Sequence, residues 1–312
     1  MYSFKPVSYD QKEKIYSLLS GISKMDNGYS NEFAEMTKEE FLSKGIQLLI
    51  DWSNGKNLYK NFVPITFYFL YDNEDIVGVF KLRHYLNDYY RNGAGHISYA
   101  TKKDCRKKGY AKIGLNLAIQ EIDKFLPEED KLIKVCCSRR NFGSYLTIHG
   151  NIPLISKDSD KEYQGKKFEI CENYIDRKNR ILIKTLSKNE NINVNNDEYL
   201  KNNIKNEEIK IFGAYLNIYT FIGYIALQKV NEDYEIKKIN IFENKENLAY
   251  GMFNYVYAIA RVNKIKNIFV DELDYEKLKN EFNINEKYDL KSLENKRVQV
   301  NVKELCKEEK NI

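Results

Sequence analysis

The chain is short of the residues that staple or punctuate a fold. Among 312 residues there are four prolines, one tryptophan, three histidines and five cysteines. The cysteines (Cys105, Cys136, Cys137, Cys171 and Cys306) are odd in number and have no CxxC spacing. That argues against a disulfide framework and against a thiolate metal site, and reduced thiols are expected. No run of about 18 apolar residues occurs, and Met1-Tyr2-Ser3-Phe4-Lys5-Pro6 has no apolar signal core. A soluble, cytoplasmic protein with no membrane contact is therefore expected. Strong charge of one sign is also missing. With 50 basic and 45 acidic residues the net charge is +5, too small to imply a nucleic-acid partner, so any anion site must be local.

What is present suffices for two ordinary domains: 43% of residues are hydrophobic and 30% charged. Pro6, Pro64, Pro127 and Pro153 all lie in the first half. From Thr185 the chain turns Asn-rich and loses apolar periodicity, which places a boundary between 1–186 and 187–312. In the first half, Gln11–Leu19 and Lys38–Trp52 read as helices, with a polar loop at Lys24–Asn31 between them. Ile65–Tyr71 and Ile76–Leu82 form a hairpin, and Leu132–Cys137 is a nearly unbroken apolar strand. Asn141–His149 reads as a short helix, and Glu169–Ile175 and Arg180–Lys184 as closing strands. The second half repeats this order. Ile209–Leu216, Thr220–Gln228 and Tyr234–Phe242 are strands, Leu248–Val262 a helix, Asn267–Val270 a strand, Tyr275–Phe282 a helix and Arg297–Val302 a strand. The expectation is an α/β chain: two copies of one mixed sheet flanked by helices, the second truncated at its front.

The most informative stretch is Gly95–Leu126. Gly95–Thr101 alternates as a strand, Lys102–Ala111 is a basic turn with a glycine, and Leu115, Ala118, Ile119, Ile122, Phe125 and Leu126 share one helical face up to Pro127. A strand, a glycine turn and a helix in succession leave backbone N–H groups unpaired at a helix N-terminus, a place for a phosphate-bearing ligand. A solvated basic turn would read the same way from these six residues alone.

The flanking sequence narrows this. Arg106-Lys107-Lys108-Gly109-Tyr110-Ala111 fits an R/Q-x-x-G-x-G/A turn. Arg83-His84-Tyr85-Leu86-Asn87, Gly95-His96-Ile97-Ser98-Tyr99 and Asn141-Phe142-Gly143-Ser144 stand around it. Over residues 1–185 this pattern resembles a bacterial subgroup of the GNAT N-acetyltransferase superfamily. The resemblance implies acetyl-CoA as cofactor and transfer of its acetyl group to a primary amine. It implies that Arg106, Lys107, Lys108, Gly109, Tyr110 and Ala111 hold the pyrophosphate. The pantetheine arm would lie along Tyr99, Ala100 and Thr101, with Asn141 and Ser144 as further contacts. His96 is the candidate base and Tyr145 the candidate acid. Ile148 stands where many members have a tyrosine, Asn151-Ile152-Pro153 where this subgroup has N-G-G, and Glu172-Asn173-Tyr174-Ile175 where it has R-Y-W-I. In the second half Asn247–Met252 lacks the Arg/Gln and has Tyr250 in place of the glycine, so that half is expected not to bind acetyl-CoA.

Three further readings follow from the residues. Asn141 is also a natural helix N-cap. His84 and His149 are expected to be structural, and Cys136-Cys137 belong to the core. A catalytically weak or inactive acyl-CoA-binding module is the alternative to an enzyme. The acceptor, a small molecule or a peptide, is not identified. Lys24–Asn31, Asn87–Ala94 and the 150s loop are the segments expected to select it. A monomer or a homodimer is expected.

Overall fold

The computed structural model describes residues 2–163, 166–186, 197–243, 245, 248–281, 288–293 and 297–305. The expectations on Asn247, Phe282, Cys306 and most of the Asn-rich run lie outside them. The chain forms two units, Met1–Asn179 and Arg180–Ile312.

In the first unit, strands β1 (Tyr2–Pro6), β4 (Ile65–Asp72), β5 (Asp75–Arg83) and β6 (Ile97–Thr101) make an antiparallel sheet in the order β1-β4-β5-β6. A second sheet has the order β7-β9-β8, from β7 (Leu132–Ser138), β8 (Ile155–Tyr163) and β9 (Lys166–Asp176). A small hairpin, β2 (Met25–Asp26) with β3 (Tyr29–Ser30), lies within the expected Lys24–Asn31 loop. Helix α1 (Lys12–Ser20) buries Ile15, Leu18 and Leu19, which fall at i, i+3 and i+4. The Lys38–Trp52 expectation is met by α2 (Lys38–Glu40) and α3 (Ile46–Ser53), joined by a π-helical turn at Phe41–Gly45. Phe33, Phe41, Trp52 and Phe67 pack ring on ring between α3 and β4. Each such buried ring contributes about 2–3 kcal/mol. Segment 87–94 is closed by α4 (Asp88–Arg91), capped by the Asn87 side chain.

Helix α5 (Tyr110–Ile122) lies on the first sheet through Leu115, Ala118, Ile119 and Ile122, the face expected from periodicity. It ends earlier than Pro127: the Lys124 and Phe125 N–H groups donate three residues back, to Glu121 O and Ile122 O, and the Phe125 ring stacks on His84 at 4.2 Å. The contact between α5 and the sheet needs a glycine. A β-carbon on Gly114 would stand 2.0 Å from Phe80 Cζ. The Phe80 ring is fully buried between Phe4 and Tyr99 and has nowhere to go. Gly114→Ala is therefore expected to lose about 2 kcal/mol to forced overlap, more than the roughly 1 kcal/mol that alanine gains over glycine in a helix. A urea midpoint above the wild type's would contradict this.

Two expectations change here. The 150s are not a loop, because Ile155–Tyr163 pairs with β9 from Ile155↔Tyr174 to Tyr163↔Lys166. The sequence ISKDSDKEY hid this: an edge strand needs little apolar alternation. Ile181–Thr185 does not close the first half. As β10 it pairs with Ile209–Leu216 (β11) in the second unit.

The second unit has one seven-stranded sheet, completed by β12 (Thr220–Val230), β13 (Asp233–Ile241), β14 (Asn267–Asp271), β15 (Asp289–Leu293) and β16 (Arg297–Asn301), in the order β10-β11-β12-β13-β14-β16-β15. Read outward from its first strand, this is the strand order of the first unit. In front of the hairpin the described residues hold one short helix, α7 (Glu198–Asn203), where the first unit has α1 to α3. Helix α8 (Leu248–Val262) is buried from Leu248 to Ala260, and α9 (Glu272–Glu281) follows β14. The two units differ in the middle of the sheet. β13 and β14 are zipped by parallel pairing, Tyr234↔Ile268 and Glu235↔Phe269. Among the described residues the corresponding β6 and β7 share no ladder, and Gly95, just before β6, makes an isolated bridge to Val135 of β7.

Candidate functional site

The gap between β6 and β7 is set by residues at its closed end. Gly95 takes φ +73° and packs on the Lys134 backbone. His96 follows. Its N–H donates to Lys134 O at 2.7 Å, and its Nδ1 accepts the Lys134 N–H at 2.9 Å. A ring nitrogen thus takes the place of a strand carbonyl. At the other edge, Lys102 donates its N–H to Val77 O at 3.0 Å. Alternation along an antiparallel ladder then turns the backbone groups of Tyr99 and Thr101 away from β5 and toward the gap, while those of Ala100 face β5. Tyr99 and Thr101 thus present their backbone groups to the gap, and Ala100 presents its own to β5.

The basic turn follows β6. Lys107 sits at φ +64° and Gly109, the N-cap of α5, at φ +86°. Backbone that alternates in handedness gathers successive N–H groups into an anion-binding concavity. Lys112 is the first residue of the helix whose N–H is bonded, to Gly109 O at 3.0 Å. Among the described residues, the N–H groups of Lys107, Lys108, Gly109, Tyr110 and Ala111 have no acceptor. Lys107 and Lys108 are exposed, and no atom lies within 4 Å of where a Gly109 β-carbon would be, so the turn is open from outside. The Tyr110 ring lies edge-on to Tyr2, and its hydroxyl donates to Asp72 Oδ2 at 2.6 Å. That bond, with burial, pushes the phenol up to about 12. Tyr110 therefore anchors the helix through its side chain and has only its N–H to offer a ligand. The Arg106 guanidinium is engaged by the Asp26 carboxylate of the β2–β3 hairpin.

Across the gap, α6 (Phe142–His149) begins where expected. Asn141 Oδ1 accepts the Ser144 N–H at 3.1 Å, the N-cap role, and Asn141 Nδ2 donates to Asn27 O at 2.9 Å. Ser144 Oγ is 2.8 Å from the Tyr99 hydroxyl. Burial raises the Tyr99 phenol well above its ordinary range, so it holds its proton at neutral pH.

The two residues expected to move protons are placed for other work. His96 is 4% exposed, and burial with Arg83 and Arg91 lowers its pKa to about 4. Because Nδ1 accepts from Lys134, the proton is on Nε2, which has no partner among the described residues. A neutral ring with its lone pair already engaged is no base, and His96 acts instead as the pin that joins the two sheets. Tyr145 is 1% exposed and packs on the His149 ring at 4.2 Å in the core. It does not line the gap. The phenol at the gap is Tyr99, which was expected to contribute only its backbone. Ile148 is fully buried, so the position where many of the resembling proteins have a tyrosine faces the core here. His84, bonded to Thr66 Oγ1 at 2.8 Å, and His149 are structural. In the second unit Leu248–Met252 lies inside α8 with every residue buried, and the sheet beside it is closed.

No family model matches the chain, and no curated protein matches it. Among solved structures, it is similar to a ribosomal-protein-S5-alanine acetyltransferase from Vibrio fischeri (15% identity, TM-score 0.40, covering 57% of this chain and 93% of that one). It is also similar to a GNAT-family acetyltransferase from Streptococcus pneumoniae (12%, TM-score 0.38, 56% and 99%). A third is a ribosomal L7/L12 α-N-protein acetyltransferase solved with coenzyme A (11%, TM-score 0.40, 56% and 93%).

Proposed function

We propose that the first unit binds acetyl-CoA at Arg106–Ala111 and along the gap beside β6, and transfers the acetyl group to a primary amine. One observation carries this reading: among the described residues, five consecutive unpaired N–H groups open a 13-residue helix beside the gap where β6 and β7 share no ladder. The residues fit the cofactor. The turn offers N–H groups and two exposed ammonium groups to a pyrophosphate, and Gly109 leaves room for close approach. The backbone groups of Tyr99 and Thr101 can hold an extended amide-bearing arm as a strand would.

Acetyl-CoA supplies an activated thioester carbonyl. This chain's residues orient it and supply a strand N–H to its oxygen. When bound, it would offer that carbonyl carbon to an amine nitrogen and its thiolate as the leaving group. The Tyr99 hydroxyl, 2.8 Å from Ser144 Oγ at the start of α6, would be the proton donor to the departing thiolate. The amine's proton leaves through water, since His96 accepts none. The buried Ile148 and the neutral His96 favour a second reading, a module that binds acyl-CoA with weak catalysis or none.

Calorimetry of the full chain with acetyl-CoA is expected to give one site per chain. Gly109→Glu, which puts a carboxylate into the turn, is expected to weaken it at least about ten-fold. No heat from the wild type, or equal affinity in the variant, would overturn the proposal. Free-thiol release with a panel of amines and peptides separates the two readings: binding without release leaves the module.

A further inference from the structure

The β2–β3 hairpin touches both lips of the gap. Its tip is Asn27-Gly28, at φ +51° and +92°, the two-residue turn that pairs Asp26 directly with Tyr29. On one side the Asp26 carboxylate holds the Arg106 guanidinium, in the turn that follows β6. On the other, Asn27 O accepts Asn141 Nδ2 at 2.9 Å, at the start of α6 that follows β7. The base of the hairpin is fixed, because the buried Lys81 ammonium donates to Ser30 O at 2.7 Å and pairs with Glu32. Asp26 is mostly covered, its side chain 8% exposed, while 35% of Arg106 remains exposed. An acidic group thus sits on the arginine that a pyrophosphate at this turn would take, and a carbonyl sits on the asparagine beside the arm's path.

We propose that the Met25–Ser30 hairpin is a latch: Asp26 and Asn27 occupy Arg106 and Asn141 in the free protein, and coenzyme A displaces them. This rests on the coenzyme site proposed above. The ligand must break an ion pair before it gains Arg106, so its apparent affinity is reduced by the fraction of molecules that are latched. The tight turn and the Lys81 anchor let the tip swing while the base stays bound.

Asp26→Asn keeps the shape of the tip and removes the charge. Calorimetry with coenzyme A is expected to show binding about five-fold tighter than wild type, the scale of a part-exposed ion pair. Hydrogen exchange gives a second reading that needs no variant. On adding coenzyme A to the wild type, the Met25–Ser30 amides should exchange faster while those of Lys107–Ala111 slow. Equal or weaker binding by the variant, or a hairpin that becomes more protected on binding, overturns the latch and leaves the coenzyme site standing. If neither protein binds coenzyme A and Lys107–Ala111 is not protected, the site itself fails, and the latch with it.

Discussion

Gly95→Ala is expected to lower the stability of the first unit by about 3 kcal/mol, a larger loss than Gly114→Ala should cause. Two costs add. At φ +73° a β-carbon carries about 1–2 kcal/mol of backbone strain. That carbon would also stand 2.4 Å from Lys134 O and 2.9 Å from the Lys134 carbonyl carbon. These are backbone atoms, and the same carbonyl accepts the His96 N–H, so relief would require pulling apart the Gly95–Val135 bridge that joins the two sheets. Forced overlap of this kind costs about 1–3 kcal/mol. Trp52, the only tryptophan, is buried in the first unit, so its fluorescence through a urea titration reads that unit alone. A variant within about 1 kcal/mol of wild type would show that the bridge does not hold the sheets together.

The second large effect is acid sensitivity from His96. The ordinary imidazole value is 6.5 and the folded value about 4. Above pH 6.5 the ring is neutral in both folded and unfolded chains and contributes nothing to pH dependence. Between pH 6.5 and 4 the unfolded chain takes up a proton that the fold refuses, so stability falls as pH falls. By pH 4 the loss is about 3 kcal/mol, and below that it levels off as the folded ring protonates too. His96→Asn places an amide Oδ1 where Nδ1 accepts the Lys134 N–H and has no proton to gain. Its urea midpoint is expected to change far less than the wild type's between pH 7 and pH 4. Parallel pH profiles for the two proteins would mean that the acid sensitivity lies elsewhere.

Local patterns carried much of the fold into the sequence. Helix α5 was legible because Leu115, Ala118, Ile119 and Ile122 recur with the helix period. The hairpin β4–β5 was legible because β-branched and aromatic residues flank a polar turn. Where pairing leaves no mark on the pattern, expectation fails. Ile155–Tyr163 carries no apolar alternation, since an edge strand pairs through its backbone. Ile181–Thr185 looks the same whichever sheet it joins, and only its register with β11 assigns it to the second unit.

The geometry of the turn at Arg106–Ala111 was determined by the sequence. A glycine that enters a helix from a left-handed φ, with basic residues just before it, makes the same local geometry wherever it occurs, because the constraint is steric and short-range. The roles of the side chains around it were decided by tertiary structure. Arg106 is engaged by a carboxylate 80 residues away, His96 gives its lone pair to a backbone 38 residues on, and Tyr145 faces the core while Tyr99 meets Ser144 at the gap. Burial and charge at each of these positions depend on which distant segment packs against it, and spacing along the chain does not encode that. The same holds for the gap. Both units carry one strand order, and only the pairing of β13 with β14, set against the single bridge at Gly95, leaves a sheet open in the first unit and closed in the second.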